Sequence, residues 1–205
     1  MAMPLPAHLA GQEWTPDRVQ NELVREDQPW PRYELIDGEL LVSFLDEEPE
    51  VNASPRRVHQ RAVRELLFLL EPYVTHHALG EVLMAPLDVR LTPDSLVQPD
   101  AFVAAPDARG RPISNEPVTA MALAVEVISP STAGNDRLRK RAFYARQGVP
   151  EYWVVDAAAR LIEVTRPTDP RVELYARELR WHPAGAPEPL VVDVPAYFAR
   201  VLGPA

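Results

Sequence analysis

Glu126 stands inside Met121 to Ile128 (MALAVEVI), an otherwise apolar run whose length and continuity predict a strand buried on both faces. A carboxylate in such a strand is costly unless it is paired or holds a metal ion. Its partner by sequence is Asp100, which follows Pro99 in the run Val97-Gln98-Pro99-Asp100-Ala101-Phe102-Val103. Proline cannot donate to a strand ladder, so Pro99 marks an edge or a bulge at which a side chain is re-aimed. The chain has no cysteine, which removes thiolate nucleophiles, zinc–thiolate sites and disulfides together, and it has no histidine pair at ligand spacing. Two carboxylates from adjacent strands then suit a hard, oxygen-bound cation, Mg2+ or Mn2+. Taken singly, each is read better as a structural ion pair with an arginine than as a metal ligand.

Of the 21 basic residues one is a lysine, Lys140. Either the compact ammonium, whose pKa its surroundings can lower, is needed at that place, or one lysine among arginines is chance. The net charge of −9 speaks against a phosphate-bearing partner until its distribution is read. Residues 26–50 hold Glu26, Asp27, Glu34, Asp37, Glu39, Asp46, Glu47, Glu48 and Glu50 against Arg32, a net −8 that leaves −1 for the rest. Within that rest, Arg56, Arg57, Arg61 and Arg64, then Arg137, Arg139, Lys140, Arg141 and Arg146, form stretches free of acid. They are either solvated helix faces that pair with nearby acids or the floor of a phosphate-binding cleft.

The elements that must position these groups are legible from turn and cap signals. Thr15-Pro16-Asp17 starts a helix that should run to about Glu26, and Asp37-Gly38 turns a β-hairpin over 32–45. Ser54-Pro55 starts a second helix, predicted over 55–71 and closed by Pro72, with Val58, Ala62, Val63, Leu66, Leu67 and Leu70 as its apolar stripe. Strands are expected at about 80–91, 97–104 and 121–128, with an exposed, mobile loop at 105–118. Asn135 or Asp136 should cap a helix to about Gln147, ended by Gly148 and Pro150. Strands at 151–156, 160–165 and 172–180, then a short strand and a terminal helix over 190–203, complete the pattern. At 205 residues, with 46% hydrophobic and 25% charged, the expectation is one globular domain. Twenty-three prolines exclude a long coiled coil. With no apolar stretch of about 18 residues and no signal-peptide pattern at the start, a soluble, cytoplasmic protein without a membrane partner is expected.

The motifs YELIDGEL at 33–40, Val97-Gln98-Pro99-Asp100, VEVISPST at 125–132 followed by Asp136, Lys140 and Tyr144, and GVPEYWVVD at 148–156 together resemble the Uma2-type (DUF820) restriction endonucleases of the PD-(D/E)XK nuclease superfamily. The resemblance covers about residues 14–200. It implies an α/β fold: a restriction-endonuclease-like central mixed β-sheet flanked by helices, with an N-terminal helix and β-hairpin. Asp100 would be the aspartate of the PD pair, Glu126 the acid of the E-x-K element, and Val127 would lend its backbone carbonyl to the metal. The lysine of that element should stand at 128, where this chain has Ile128. Lys140 on the following helix would return to the same cleft, with Asp136 and Tyr144 on its face.

The chemistry so implied is metal-assisted hydrolysis of nucleic-acid phosphodiester bonds, with DNA as partner. Mg2+ or Mn2+ on Asp100 and Glu126 would polarise the phosphate, and Lys140 would orient water or stabilise developing charge. Glu39 is either an extra metal or water ligand or a solvated hairpin acid; His59 either contacts metal or phosphate or is structural. Tyr152 and Trp153 read as core, and Asp156 as a supporting partner of the site. A symmetric homodimer would suit cutting both strands of a duplex. The alternatives are a non-catalytic DNA-binding or protein-interaction module on the same fold and a two-carboxylate sugar hydrolase, to which the lysine and basic helices lend nothing.

Overall fold

The protein is represented by a computed structural model that describes residues 6–24, 31–43, 54–106, 118–128, 134 and 136–203. Its centre is a six-stranded sheet in the order β3 (Glu81–Met84), β4 (Ala101–Ala104), β5 (Met121–Val127), β6 (Tyr152–Asp156), β7 (Leu161–Arg166), β8 (Asp169–Tyr175). All neighbours are antiparallel except β5 and β6. A parallel pair needs a crossover, and here it contains helix α3, a π-helical turn at Asp136–Lys140 running into an α-helix at Arg141–Arg146. Gly148, at φ +71, ends it.

Alternation along the strands divides the core between the two sheet faces. Ala101, Val103, Leu123, Val125, Val127, Trp153 and Val155 pack with Ala62, Val63, Leu66 and Leu70 of helix α2 (Ser54–His76). Against that helix lies α4 (Val194–Leu202), capped by Asp193, whose carboxylate accepts from the Ala196 N–H at 2.9 Å. The Tyr197 hydroxyl of α4 donates to the Ala62 carbonyl at 2.9 Å. A separate antiparallel pair, β9 (Glu178–Trp181) and β10 (Leu190–Asp193), leads into it. On the other face Phe102, Ala124, Tyr152 and Val154 pack with Phe143 and Tyr144 of α3 and with Ile36 and Leu41. Those last two belong to the hairpin β1 (Arg32–Ile36) and β2 (Glu39–Ser43), turned at Asp37-Gly38 with both residues at positive φ. Helix α1, an α-turn at Pro16–Arg18 continued as a π-turn at Val19–Leu23, starts from a Thr15 cap and covers the hairpin. No described helix is long and apolar enough to cross a membrane.

Several expected boundaries move. α1 ends at Leu23, because Val24 is already extended. Pro72 does not close α2, which runs on to His76: Val74 is buried in the core, Tyr73 packs on Trp181, and its hydroxyl donates to the Glu188 carbonyl at 2.5 Å. That packing outweighs the one hydrogen bond an exposed proline removes. The strand expected at 80–91 stops at Met84, just before Pro86, and the next begins at Ala101, after Pro99. The segment 172–180 is split between β8 and β9, which lie in different sheets. Asn135, most of the 105–118 loop and the acids at 46–50 lie outside the described residues.

Candidate active site

Strand parity aims Glu126 at the α3 and hairpin face, the same side as Ala124 and Val154. α3 crosses above it, and Lys140, the last residue of its π-turn, reaches down so that Nζ lies 2.9 Å from Glu126 Oε1 and 2.8 Å from Glu34 Oε2. A π-turn widens the helix by a residue and is frequent at functional sites. Glu34, on β1, completes a buried carboxylate–ammonium–carboxylate triad, and its other oxygen accepts the Gln98 N–H at 2.8 Å. The Gln98 amide in turn donates to Asp88 at 2.7 Å, and Asp88 accepts from Gln20 of α1 at 2.6 Å. One hydrogen-bonded chain therefore runs from α1 to the triad.

Asp100 immediately precedes β4, next in register to Glu126. Its Oδ2 accepts the Val127 N–H at 2.9 Å and faces His59 Nε2 at 3.0 Å; its Oδ1 accepts from Arg32 Nη1 at 3.1 Å. Burial alone would raise the Asp100 pKa, but the His59 hydrogen bond, the His59 and Arg32 charges and the Val127 N–H prevail and hold it down at about 2. The assembly thus contains three carboxylates, the Lys140 amine nitrogen, the Arg32 guanidinium and one imidazole.

The structure therefore brings Asp100, Glu126, Val127, Lys140 and His59 together and leaves other candidates aside. Glu39 is exposed at the turn end of the hairpin, opposite Ile36, and pairs with Arg139 at 2.6 Å. Asp156 pairs with Arg137 at 2.7 Å and accepts the Ala159 N–H, so it supports a turn rather than the triad. Tyr144 is core, stacked with Tyr152 at 4.9 Å, and the Asp136 side chain lies outside the described residues. Val127 enters through its N–H. Glu34 and Arg32 were missed. The signal was available, since β1 and β2 carry apolar residues on both faces, and a charge within such a hairpin meets the same cost that singled out Glu126.

Helix α3 spends its basic residues internally. Arg137 pairs with Asp156 and Glu163, Arg141 with Glu163, Arg139 with Glu39, and Arg146 with Asp37. These groups belong to the paired-face reading and not to a phosphate-binding floor. On α2, by contrast, exposed Arg57 and Arg61 have no ion-pair partner among the described residues.

Among the described residues no three or more histidine and acid side chains could together hold a metal ion. The donors at Asp100 and Glu126 nevertheless fit Mg2+ in kind, because that ion takes one or two carboxylates and completes its shell with water and substrate oxygen.

Sequences described as "Putative restriction endonuclease", the Uma2 family, match residues 19–187, a span that includes every member of this cluster. A solved structure described as a putative nuclease belonging to DUF820, from Anabaena variabilis ATCC 29413, superposes with a TM-score of 0.61 at 17% identity, over 84% of this chain and 92% of that one. At that identity the likeness carries the fold. None of the curated proteins matches the chain.

Proposed function

This chain belongs to the Uma2 family of putative restriction endonucleases, and from that premise we propose that it is a Mg2+- or Mn2+-dependent endonuclease that hydrolyses phosphodiester bonds in DNA, in the cytoplasm. One observation carries the reading: the chain's single lysine bridges two buried carboxylates beside a third, Asp100. Asp100 and Glu126, with the Val127 carbonyl, would hold the cation, which when bound supplies positive charge at the phosphate. The remaining work belongs to the chain's own groups. Glu34 and Glu126 hold the Lys140 ammonium in place, a preformed charge that needs no reorganisation as negative charge develops on the phosphate. Arg32 and His59 stand at the same carboxylate and meet anionic substrate oxygens. The buried walls exclude water, so each of these interactions is stronger than in solvent. Cutting both strands of a duplex would call for two such sites, as a symmetric homodimer supplies.

The second reading is a non-catalytic DNA-binding or protein-interaction module, and the complete internal pairing of Lys140 favours it. Plasmid and oligonucleotide DNA incubated with the purified protein decide between them. Cleavage that needs Mg2+ or Mn2+ and stops with EDTA supports the nuclease, whereas intact DNA with either metal supports the module.

A further inference from the structure

We propose that Arg32 and His59 form a phosphate-docking pair at the mouth of the buried cluster, the contact through which a nucleic-acid backbone engages this site. The inference rests on the nucleic-acid reading of the site and assigns the groups that hold the anion. It comes from a gradient of exposure across the cluster. The side chains of Glu126, Glu34, Lys140 and Asp100 are only 3–6% accessible, whereas those of Arg32 and His59 are 20% and 24% accessible. An anion arriving from solvent therefore meets the guanidinium and the imidazole before anything deeper.

The two groups come from different elements, Arg32 from the first position of β1 and His59 from the first turns of α2. Asp100 gathers them, one on each of its oxygens, at 3.1 and 3.0 Å. Its own orientation is fixed by the Val127 N–H of β5 at 2.9 Å. Asp100 is thus a positioning residue that aligns two nitrogen donors side by side. A guanidinium fork matches phosphate oxygens in geometry as well as charge, and the neighbouring imidazole adds a second, differently angled polar contact. Such a pair recognises the diester oxygens common to every nucleotide and carries no base readout. The outward Arg57 and Arg61 serve a different role: helical spacing puts them on the side of α2 opposite His59, so they contribute to the general field only.

The test is fluorescence anisotropy in EDTA, which separates binding from turnover. The probe is a fluorescein-labelled oligodeoxynucleotide, compared with its methylphosphonate analogue, in which the backbone keeps its shape and loses its charge. Wild type should prefer the phosphodiester. Arg32→Gln and His59→Gln should each lose roughly tenfold or more of that affinity, the scale of a charge-assisted hydrogen bond, and little of their affinity for the analogue. Arg32→Lys should recover part of the loss. Thermal melting controls for folding, and His59→Gln, at the more exposed position, keeps the test decisive if Arg32→Gln does not fold. The proposal is overturned if both variants bind the phosphodiester as wild type does, if they lose both probes equally, or if wild type binds neither. Selective loss in the variants, with no cleavage by wild type in Mg2+ or Mn2+, would overturn the nuclease reading and leave the docking pair standing. Cleavage by wild type with unchanged KM in both variants would do the reverse.

Discussion

Lys140 is the residue on which structure and chemistry converge, and its burial decides how its loss will be felt. With the ammonium removed, Glu34 and Glu126 lose the cation between them, so Lys140→Ala should lower unfolding free energy by about 3–5 kcal/mol, read from denaturant curves. Replacing the whole triad, as Glu34→Gln, Lys140→Met and Glu126→Gln, should restore most of it, since no buried charge is then left alone. A Lys140→Ala protein as stable as wild type would show that water reaches the site. Asp100 gives a second expectation. Its folded pKa of about 2 lies below the ordinary 3.8, so the folded state binds fewer protons and is favoured above pH 4. That stability, on the order of 2 kcal/mol, should disappear as pH falls from about 4 towards 2. Asp100→Asn should lack this part of the acid transition; an identical acid profile in the two proteins would contradict the pairing. Glu126 and Asp100 were legible in the sequence because each breaks a local pattern, and Lys140 because it is the one lysine among 21 basic residues. Glu34 was hidden among several acids of one acidic stretch, and Glu39, on the same side of the hairpin, differs from it only in standing next to the turn.

At the scale of elements, α2 and α3 look alike in sequence, since both carry runs of arginine without acid, yet the fold uses them differently. α3 lies on the sheet face that presents Glu163 and Asp156, so Arg137 and Arg141 are clamps between helix and sheet. Substituting both with Gln should lower the melting temperature, because buried Glu163 loses its partners, and should leave the salt dependence of DNA binding unchanged. Arg57→Gln with Arg61→Gln should behave in the opposite way. The fold should be unaffected, and the slope of log affinity against log salt should fall by less than the full unit per arginine that a direct phosphate contact would give, because the two add only to the general field. Equal slopes in the two double variants would show that Arg57 and Arg61 add nothing to that field. No single-residue property distinguishes the helices, because the partners of α3 come from strands β6 and β7 and from the hairpin. Pro72 carries a similar lesson: a proline that stops a helix in isolation is overridden where Val74 is buried and Tyr73 packs on Trp181.

At the scale of the molecule, the two-faced sheet explains why an acidic chain can hold a nucleic-acid site. One face, under α2 and α4, is mainly apolar; the other carries the polar cluster where hairpin, sheet and α3 meet. The order of elements and the buried strand β5 were readable from periodicity and turn residues. The division of 172–180 between two sheets was not, because a change of sheet leaves no period of its own. Net charge says little about the site for a related reason: most described bases pair with acids of the same chain, and Arg32 and His59 are gathered at Asp100. If this cluster performs phosphodiester hydrolysis, the most direct measurement is the single-turnover rate of DNA cleavage in Mg2+ by wild type and by Glu126→Gln, a variant that preserves the shape of the triad and an acceptor for Lys140. The expected result is a loss on the order of a hundredfold or more with the fold intact; cleavage by Glu126→Gln within a few-fold of wild type would contradict that role.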